Sequence, residues 1–288
     1  MDSMQLFVAI IFILCGVFLP PFYIRIIYIF CSRKQYRCME CYQIMIQIGI
    51  LQCLMAPGTL FLGLANLLNE DHYRLAASTL KIVSAAIRVE SVLSVVLALN
   101  RLRIICRLGY PAVIHTVLLV IAWIFGFLYV GFFFSPWCDF IVVPGQYLSR
   151  YDLTKPYSYL LKSIGSYVLV LATSLTLLVY TTIILYLFWI RWKVGKIATL
   201  SNEKPILYYA VMRFLFDMTL TVTYSFFTFS EGPWIGFINY MLYVFNNLVL
   251  SPILYLCLYK FIRISFFRYS HGSVVIVSPS PQIILGHK

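Results

Sequence analysis

The chain has 288 residues, of which 62% are hydrophobic and 11% are charged, and its formal net charge is +12. Soluble domains contain roughly 45–50% apolar and about 25% charged residues, so this composition excludes a cytosolic enzyme, a DNA-binding domain and a disordered chain. In lipid only α-helices and closed barrels satisfy their backbone. Because the apolar runs of this chain exceed 20 residues, they predict a bundle of transmembrane helices.

Seven apolar runs follow one another along the chain, and each is long enough to cross a bilayer. The fold class predicted is therefore an all-α membrane protein with seven transmembrane helices over residues 1–258. A cytoplasmic tail with a short amphipathic helix follows over residues 259–288. Span three contains Lys81, Arg88 and Glu90, and six spans remain as the alternative if this segment is re-entrant. The seven runs cover residues 6–31, 41–67, 75–106, 111–134, 160–190, 206–229 and 235–258.

The Lys and Arg residues between the spans indicate the orientation, because cytoplasmic loops are enriched in both. Three of them lie on one side of the membrane and fourteen on the other. This asymmetry predicts that the amino terminus is outside and the carboxyl terminus is cytoplasmic. The three are Arg74, Arg150 and Lys155; the fourteen are Arg33, Lys34, Arg37, Arg101, Arg103, Arg107, Arg191, Lys193, Lys196, Lys204, Lys260, Arg263, Arg268 and Lys288.

The net charge of +12 follows from this topology and from attraction to anionic lipid of the inner leaflet. Because the basic residues are scattered over four short segments, we expect membrane lipid as a partner and no nucleic acid.

No constellation for catalysis or metal binding is present in the sequence. The four histidines are dispersed, and there is no Gly-rich phosphate loop, no G-x-S-x-G motif and no carboxylate pair on one helix face. Cys38 and Cys41 have C-x-x-C spacing, but a zinc site normally needs a second pair. We therefore expect no enzyme activity, no metal and no cofactor. Whether Cys138, the one cysteine clearly outside, forms a disulfide stays open.

Charged residues within the spans are the informative exceptions, since each costs at least about 2.5–3.5 kcal/mol at a helix centre. Arg213 and Asp217 are four residues apart, so they share one face of span six and can pair. Glu90 and Asp217 each lie roughly 15 Å from the cytoplasmic end of their span, which predicts a network between spans three and six. The network is either structural pairing or a switch. Lys81 is nearer the outer end, where we expect it to snorkel.

Short motifs end spans three and seven. Span three ends with Asn100-Arg101, and span seven contains Ser251-Pro252-x-x-Tyr255. Because proline lacks a backbone N–H, Pro252 predicts a lost hydrogen bond and a kink. The segment 259–268 mixes aromatic and basic residues, as an interfacial helix does.

In this order the motifs resemble those of G-protein-coupled receptors, and in particular of the nematode serpentine chemoreceptors. The matching stretches are CYQIMIQIGIL at 41–51, ALNR at 98–101 and PPFY at 20–23, and the first of them is most similar to serpentine receptor class T. The resemblance implies a receptor in the plasma membrane, and in the cilium of a sensory neuron, that engages a heterotrimeric G protein. Asn100 would stand where such receptors usually carry an acidic residue before the arginine of span three, here Arg101. Gln52 would stand where they often carry an acidic residue in span two. The residues expected to switch are Glu90, Asn100, Arg101, Arg213, Asp217, Ser251, Pro252 and Tyr255.

The function predicted is a chemosensory receptor that binds a small molecule in the outer half of the bundle. Aromatic side chains with a few polar groups suit a small, partly apolar ligand, although most of them are equally plausible as packing residues. The alternative is a transporter or channel that uses Arg88, Glu90, Arg213 and Asp217, but the internal repeat common in transporters is missing. The candidate ligand-binding residues are Lys81, Ser84, Arg88, Tyr224, Phe227, Asn239 and Tyr243.

Overall fold

Seven long helical spans make up most of the part of the chain that the structure describes. The computed structural model describes residues 3–32, 34–37, 39–147, 149–194, 204–227 and 233–267. The helices of spans one to seven are Ser3–Ser32; Glu40–Cys53 with Met55–Leu68; Leu75–Ile105; Val113–Phe133; Ser158–Val194; Lys204–Phe227; and Pro233–Val244 with Ser251–Leu258. Shorter elements are the helices Lys34–Arg37 and Lys260–Phe267, the 3-10 turn His72–Arg74 and the strands β1 (Phe140–Val142) and β2 (Ser149–Tyr151).

The predicted fold class is confirmed. Among the described helices, six are long and apolar enough to cross a membrane, and the helix of span six has 24 residues but carries two charges near its middle. Span three is one continuous helix of 31 residues, so the re-entrant alternative is wrong. Below, the N face is the end of the bundle that holds residue 3 and the two strands. The C face is the opposite end, with residues 106–112 and the helix Lys260–Phe267.

Spans one and two pack closely through glycine. A Cβ atom on Gly16 would lie 2.9 Å from the backbone nitrogen of Leu60, and one on Gly63 would lie 3.0 Å from the carbonyl oxygen of Ala9. Small residues let helix backbones approach closely, which is the common basis of packing between helices in lipid.

Polar residues define the turn between spans two and three. Asn69 ends span two in the left-handed conformation (φ 55°), which asparagine adopts more readily than most residues. The two carboxylate oxygens of Asp71 accept hydrogen bonds of 2.9 Å from the backbone N–H groups of Ala76 and Ala77. Asp71 thereby satisfies donors that the first turn of a helix leaves without an intrahelical partner.

Span seven accommodates its proline by widening. Residues Phe245–Leu250 form a π-helical segment directly before Ser251 and Pro252. Proline cannot donate its backbone nitrogen and clashes with the preceding turn, and the wider turn relieves both constraints. The distortion predicted at Pro252 is therefore present as a π-helical segment, a feature that is frequent at functional sites.

The helix Lys260–Phe267 packs against span one. Arg25 donates a hydrogen bond of 2.6 Å from Nη2 to the carbonyl oxygen of Phe266, and its guanidinium lies 5.1 Å from the centre of the Phe266 ring. Ile262 is fully buried on the inner side of this helix. The short helix predicted after span seven is thus present up to Phe267, and the rest of the predicted tail lies outside the described residues.

Candidate functional site

A buried ion pair joins spans three and six in the middle of the bundle. Nη2 of Arg213 lies 2.5 Å from Oε1 of Glu90, and these side chains are 7% and 8% exposed. Nε of Arg213 lies 3.3 Å from Oδ2 of Asp217 in the same helix, and the Asp217 side chain is 32% exposed. The contact predicted from the four-residue spacing is therefore present, but the shorter and more deeply buried contact runs between the helices.

Span seven supplies the remaining partners of Arg213. The guanidinium donates to Oδ1 of Asn247 at 2.9 Å, to Oγ of Ser251 at 3.1 Å, and to the backbone carbonyl of Asn246. Asn247 is held in turn by a 2.9 Å hydrogen bond from Nδ2 to the carbonyl of Tyr243. Because one guanidinium has partners in spans three, six and seven, movement of any of these helices breaks a contact at the same point.

Spans one and two complete the network. Gln52 donates from Nε2 to Oε1 of Glu90 at 2.5 Å, and the hydroxyl of Tyr23 donates to Oε1 of Gln52. An amide at position 52 can do both at once, because it carries a donor and an acceptor, whereas a carboxylate accepts only. Gln52 therefore supplies Glu90 with a second donor where an acid would bring another negative charge.

Stacked tyrosines lie beside this network. The rings of Tyr209 and Tyr255 stack with their centres 4.6 Å apart, and the hydroxyl of Tyr255 donates to that of Tyr209 at 2.9 Å. Both side chains are buried, and the Tyr255 ring also meets Phe30 edge-on at 5.2 Å. Tyr255 thus connects spans one, six and seven through aromatic packing.

A cavity of about 60 Å³ lies next to the ion cluster formed by Glu90, Arg213 and Asp217. Its polar lining includes all three charged side chains of the cluster, and apolar side chains of spans two, three, five and six form the rest. The amide of Asn246 is 2% exposed and lines this cavity. Its Nδ2 donates to Oδ1 of Asp217 at 2.6 Å, while its Oδ1 has no hydrogen-bond partner in the part of the chain that the structure describes. The lining residues are Ile48, Ile87, Glu90, Ser91, Ser94, Leu97, Leu169, Thr173, Thr176, Tyr180, Tyr209, Arg213, Phe214, Asp217, Leu220, Tyr243, Asn246 and Asn247.

A second polar cluster lies at the C face around Arg101, which is 2% exposed. Nη2 of Arg101 donates to Oδ1 of Asn100 at 3.3 Å, and Nδ2 of Asn100 donates to Oε2 of Glu40 at 2.9 Å. The same oxygen of Glu40 lies 3.3 Å from Nδ1 of His115 and 3.6 Å from the guanidinium of Arg103. The acid missing before Arg101 in the sequence is therefore provided by span two, through the amide of Asn100.

A hairpin formed by β1 and β2 engages the outer candidate residues at the N face. The strands are antiparallel, with Phe140 paired to Tyr151. Arg88 donates from Nη2 to the hydroxyl of Tyr151 at 2.9 Å and from Nη1 to Oγ of Ser84 at 2.7 Å. Its guanidinium also lies 5.0 Å from the centre of the Tyr129 ring. Arg88 thus contacts the hairpin and is absent from the lining of the central cavity.

Lys81 does not snorkel. Its Nζ lies 2.9 Å from Oδ1 of Asp139, the residue before β1, and the lysine is buried. The other carboxylate oxygen of Asp139 lies 2.7 Å from Nη2 of Arg74. Burial alone would raise the pKa of Asp139, but the hydrogen bonds from Arg74 and Lys81 outweigh it and lower this pKa from 3.8 to about 2. Lys81 can be buried because the Asp139 carboxylate pairs with its ammonium group and replaces the water that would otherwise solvate it.

Most of the predicted site residues fall into three groups. Glu90, Arg213, Asp217 and Tyr243 meet at the cavity, with Ser251 on the far side of Arg213. Asn100 and Arg101 belong to the C-face cluster, and Lys81, Ser84 and Arg88 face the hairpin. Asn239 is buried in span seven, and the side chains of Tyr224 and Phe227 lie outside the described part of the chain, as does Cys38. Cys138 is buried beside the hairpin with a free thiol.

Sequence reasoning missed several residues that hold these clusters together. Asn246 and Asn247 carry a signal, since two adjacent amides in an apolar run are costly unless they are bound. Glu40, Asp139 and Tyr151 carry none, because in the sequence each lies at the end of a span or in the segment between two spans, where polar residues are ordinary.

Solved structures of other proteins have a similar fold. Squid rhodopsin is similar to this chain with a TM-score of 0.67, covering 92% of this chain and 85% of its own, at 11% sequence identity. No family model and no curated protein matches the sequence. The resemblance to serpentine receptor class T therefore rests on the stretches at 20–23, 41–51 and 98–101. The chain therefore has a seven-helix fold similar to that of squid rhodopsin.

Proposed function

We propose that the protein is a chemosensory G-protein-coupled receptor of the nematode serpentine type. A small molecule binds within the bundle, and the C face activates a heterotrimeric G protein. The observation that carries the proposal is the buried Arg213–Glu90 ion pair, which connects spans three and six beside a cavity in a rhodopsin-like fold. The orientation with the N face outside is part of the proposal and is supported by the fourteen basic residues in the sequence segments that follow spans one, three, five and seven.

Binding changes the receptor only if the ligand has unequal affinities for two arrangements of the helices. A ligand that binds Asp217 competes with Arg213 for this carboxylate. Of the two ion pairs of Arg213, the one with Asp217 is the longer. The guanidinium then shifts towards Glu90, and its hydrogen bonds to Asn247 and Ser251 in span seven must change. Spans six and seven are thereby coupled to the cavity through one side chain.

The C-face cluster is the proposed output of this change. Arg101 is buried and held through Asn100 by Glu40, so in this arrangement its guanidinium is not available to a cytoplasmic partner. In the signalling arrangement the contact to Asn100 breaks and Arg101 becomes exposed. The plasma membrane and, in a sensory neuron, the cilium are the proposed locations.

The test is a screen of small volatile and soluble molecules on cells that express the full chain, with calcium and cyclic nucleotides as readouts. A response that Arg101→Ala abolishes at unchanged surface expression supports the proposal. Arg150→Ala is the matched control, because Arg150 is exposed on β2 at the N face, and it should leave the response intact. Substrate uptake or current that does not depend on G proteins would instead identify a transporter or channel.

A further inference from the structure

The central cavity has an unbalanced charge. Its described lining contains two carboxylates, Glu90 and Asp217, and one guanidinium, Arg213, which leaves one negative charge when all three are ionised. Glu90 already accepts hydrogen bonds from Arg213 and Gln52 at 2.5 Å each, whereas the contact of Asp217 with Arg213 is longer at 3.3 Å. Charge within a bundle is costly unless it is paired, so the excess negative charge of this lining favours a cation.

The polar groups around this charge are mainly acceptors. Oδ1 of Asn246 is buried and has no hydrogen-bond partner among the described residues. The amide cannot be turned over, because its Nδ2 is needed to donate to the carboxylate of Asp217. A buried acceptor that stays unsatisfied destabilises the folded protein. A ligand that offers N–H donors next to Asp217 satisfies it.

The hydroxyl groups of the lining point to the same chemistry. Ser91, Thr173 and Thr176 each donate their hydroxyl hydrogen to a carbonyl of their own helix, at 2.7 to 2.8 Å. A hydroxyl has one hydrogen and two lone pairs, so the oxygens of these three side chains are left as acceptors. An anion would meet these lone pairs and the excess negative charge, so the lining favours a cation over a carboxylate or a phosphate.

The size of the cavity limits the ligand to a few heavy atoms. One water-sized group occupies about 15 Å³ on this measure, so about 60 Å³ holds about four such groups. Ile48, Ile87, Leu169 and Leu220 supply the apolar wall, which suits a short alkyl chain better than a second polar group.

We propose that the central cavity binds a small primary ammonium ion, with its nitrogen between Asp217 and Asn246 and its alkyl chain against the apolar wall. The inference rests on the proposed receptor function, because it names the class of ligand that this receptor recognises. Binding is measurable without signalling, so the two proposals fail separately.

The test is the unfolding temperature of the full chain in lipid nanodiscs with four probes at equal ionic strength. Propylammonium has the positive charge, the N–H donors and the size that the site requires. Tetramethylammonium has the charge but no N–H donor, and 1-propanol has a donor but no charge. Sodium has the charge but neither a donor nor an alkyl chain. We expect only propylammonium to raise the unfolding temperature, by about 4 °C at 100 times its Kd. An equal rise with sodium or tetramethylammonium, or no rise with propylammonium, would overturn the proposal.

A variant pair locates the effect. Asp217→Asn removes the excess charge with little change in shape, and we expect it to abolish the rise with propylammonium. Asp152→Asn is the matched control, because Asp152 lies beyond β2 and binds Thr154 in its own turn, and it should keep the full rise. A rise retained in Asp217→Asn would overturn the assignment. Because the four probes are compared on the unmodified chain, the proposal is tested even if this variant does not fold.

Binding of propylammonium without any G-protein response in cells would leave the ammonium site standing and contradict the receptor function. A response to other molecules that is unchanged in Asp217→Asn, with no propylammonium binding, would support the receptor and contradict the ammonium site.

Discussion

Replacing Glu90 with glutamine should destabilise the bundle by removing the closest charged partner of Arg213. Breaking a buried ion pair by removing one partner costs about 3–5 kcal/mol, because an uncompensated charge stays behind. Arg213 keeps its contact with Asp217, but this side chain is 32% exposed and 3.3 Å away, so we expect the lower end, about 3 kcal/mol. With an unfolding entropy of about 2.1 cal/mol/K per residue over 288 residues, the unfolding temperature falls by about 5 °C.

The assay is reversible unfolding in detergent or nanodiscs, arranged as a double-mutant cycle with Arg213→Gln. Because the double variant carries neither charge of the pair, it should lose no more stability than Arg213→Gln alone, which gives a coupling energy of about 3 kcal/mol. Glu70→Gln is the matched control, since Glu70 is exposed at the N face and its replacement should cost less than about 0.5 kcal/mol. Additive losses in the cycle, within about 0.5 kcal/mol, would refute the pairing as the source of stability.

Three further predictions concern the N face and the helix packing. Between pH 4 and pH 2 the unfolding temperature of the wild type should approach that of Asp139→Asn. The pKa of Asp139 is lowered to about 2 in the folded protein. The stability that this carboxylate contributes is therefore complete above about pH 4 and is lost as the carboxylate is protonated. A difference that does not change with pH would contradict this. Tyr151→Phe removes a hydroxyl that accepts a hydrogen bond from Arg88 and lies 3.0 Å from the hydroxyl of Tyr129. We expect it to cost about 1 kcal/mol of unfolding free energy. An unchanged unfolding curve would count against the contact between Arg88 and the hairpin. Gly16→Ala should cost about 1–3 kcal/mol of unfolding free energy because its Cβ meets the backbone of Leu60. A Cβ on Gly131 would have no described atom within 4 Å, so Gly131→Ala should be neutral or stabilising. Equal effects of the two substitutions would refute the close packing of spans one and two.

The sequence by itself determined that lipid surrounds the chain, that seven helices cross it and where each begins and ends to within a few residues. It also determined the contact of Arg213 with Asp217. Each of these depends on the length of an apolar run or on a spacing of four residues, and both are properties of a single helix.

Only the tertiary structure decided which partners the isolated polar residues have. Nothing in the sequence tells that Glu90 is the nearest acid to Arg213, that Glu40 reaches Asn100, or that Asp139 neutralises Lys81. Contacts between helices depend on the rotation and tilt of each helix, which many weak packing contacts set together. The expectation that Lys81 snorkels was wrong for this reason: a hairpin from the loop between spans four and five brings a carboxylate to the lysine, and its position depends on the packed ends of both helices.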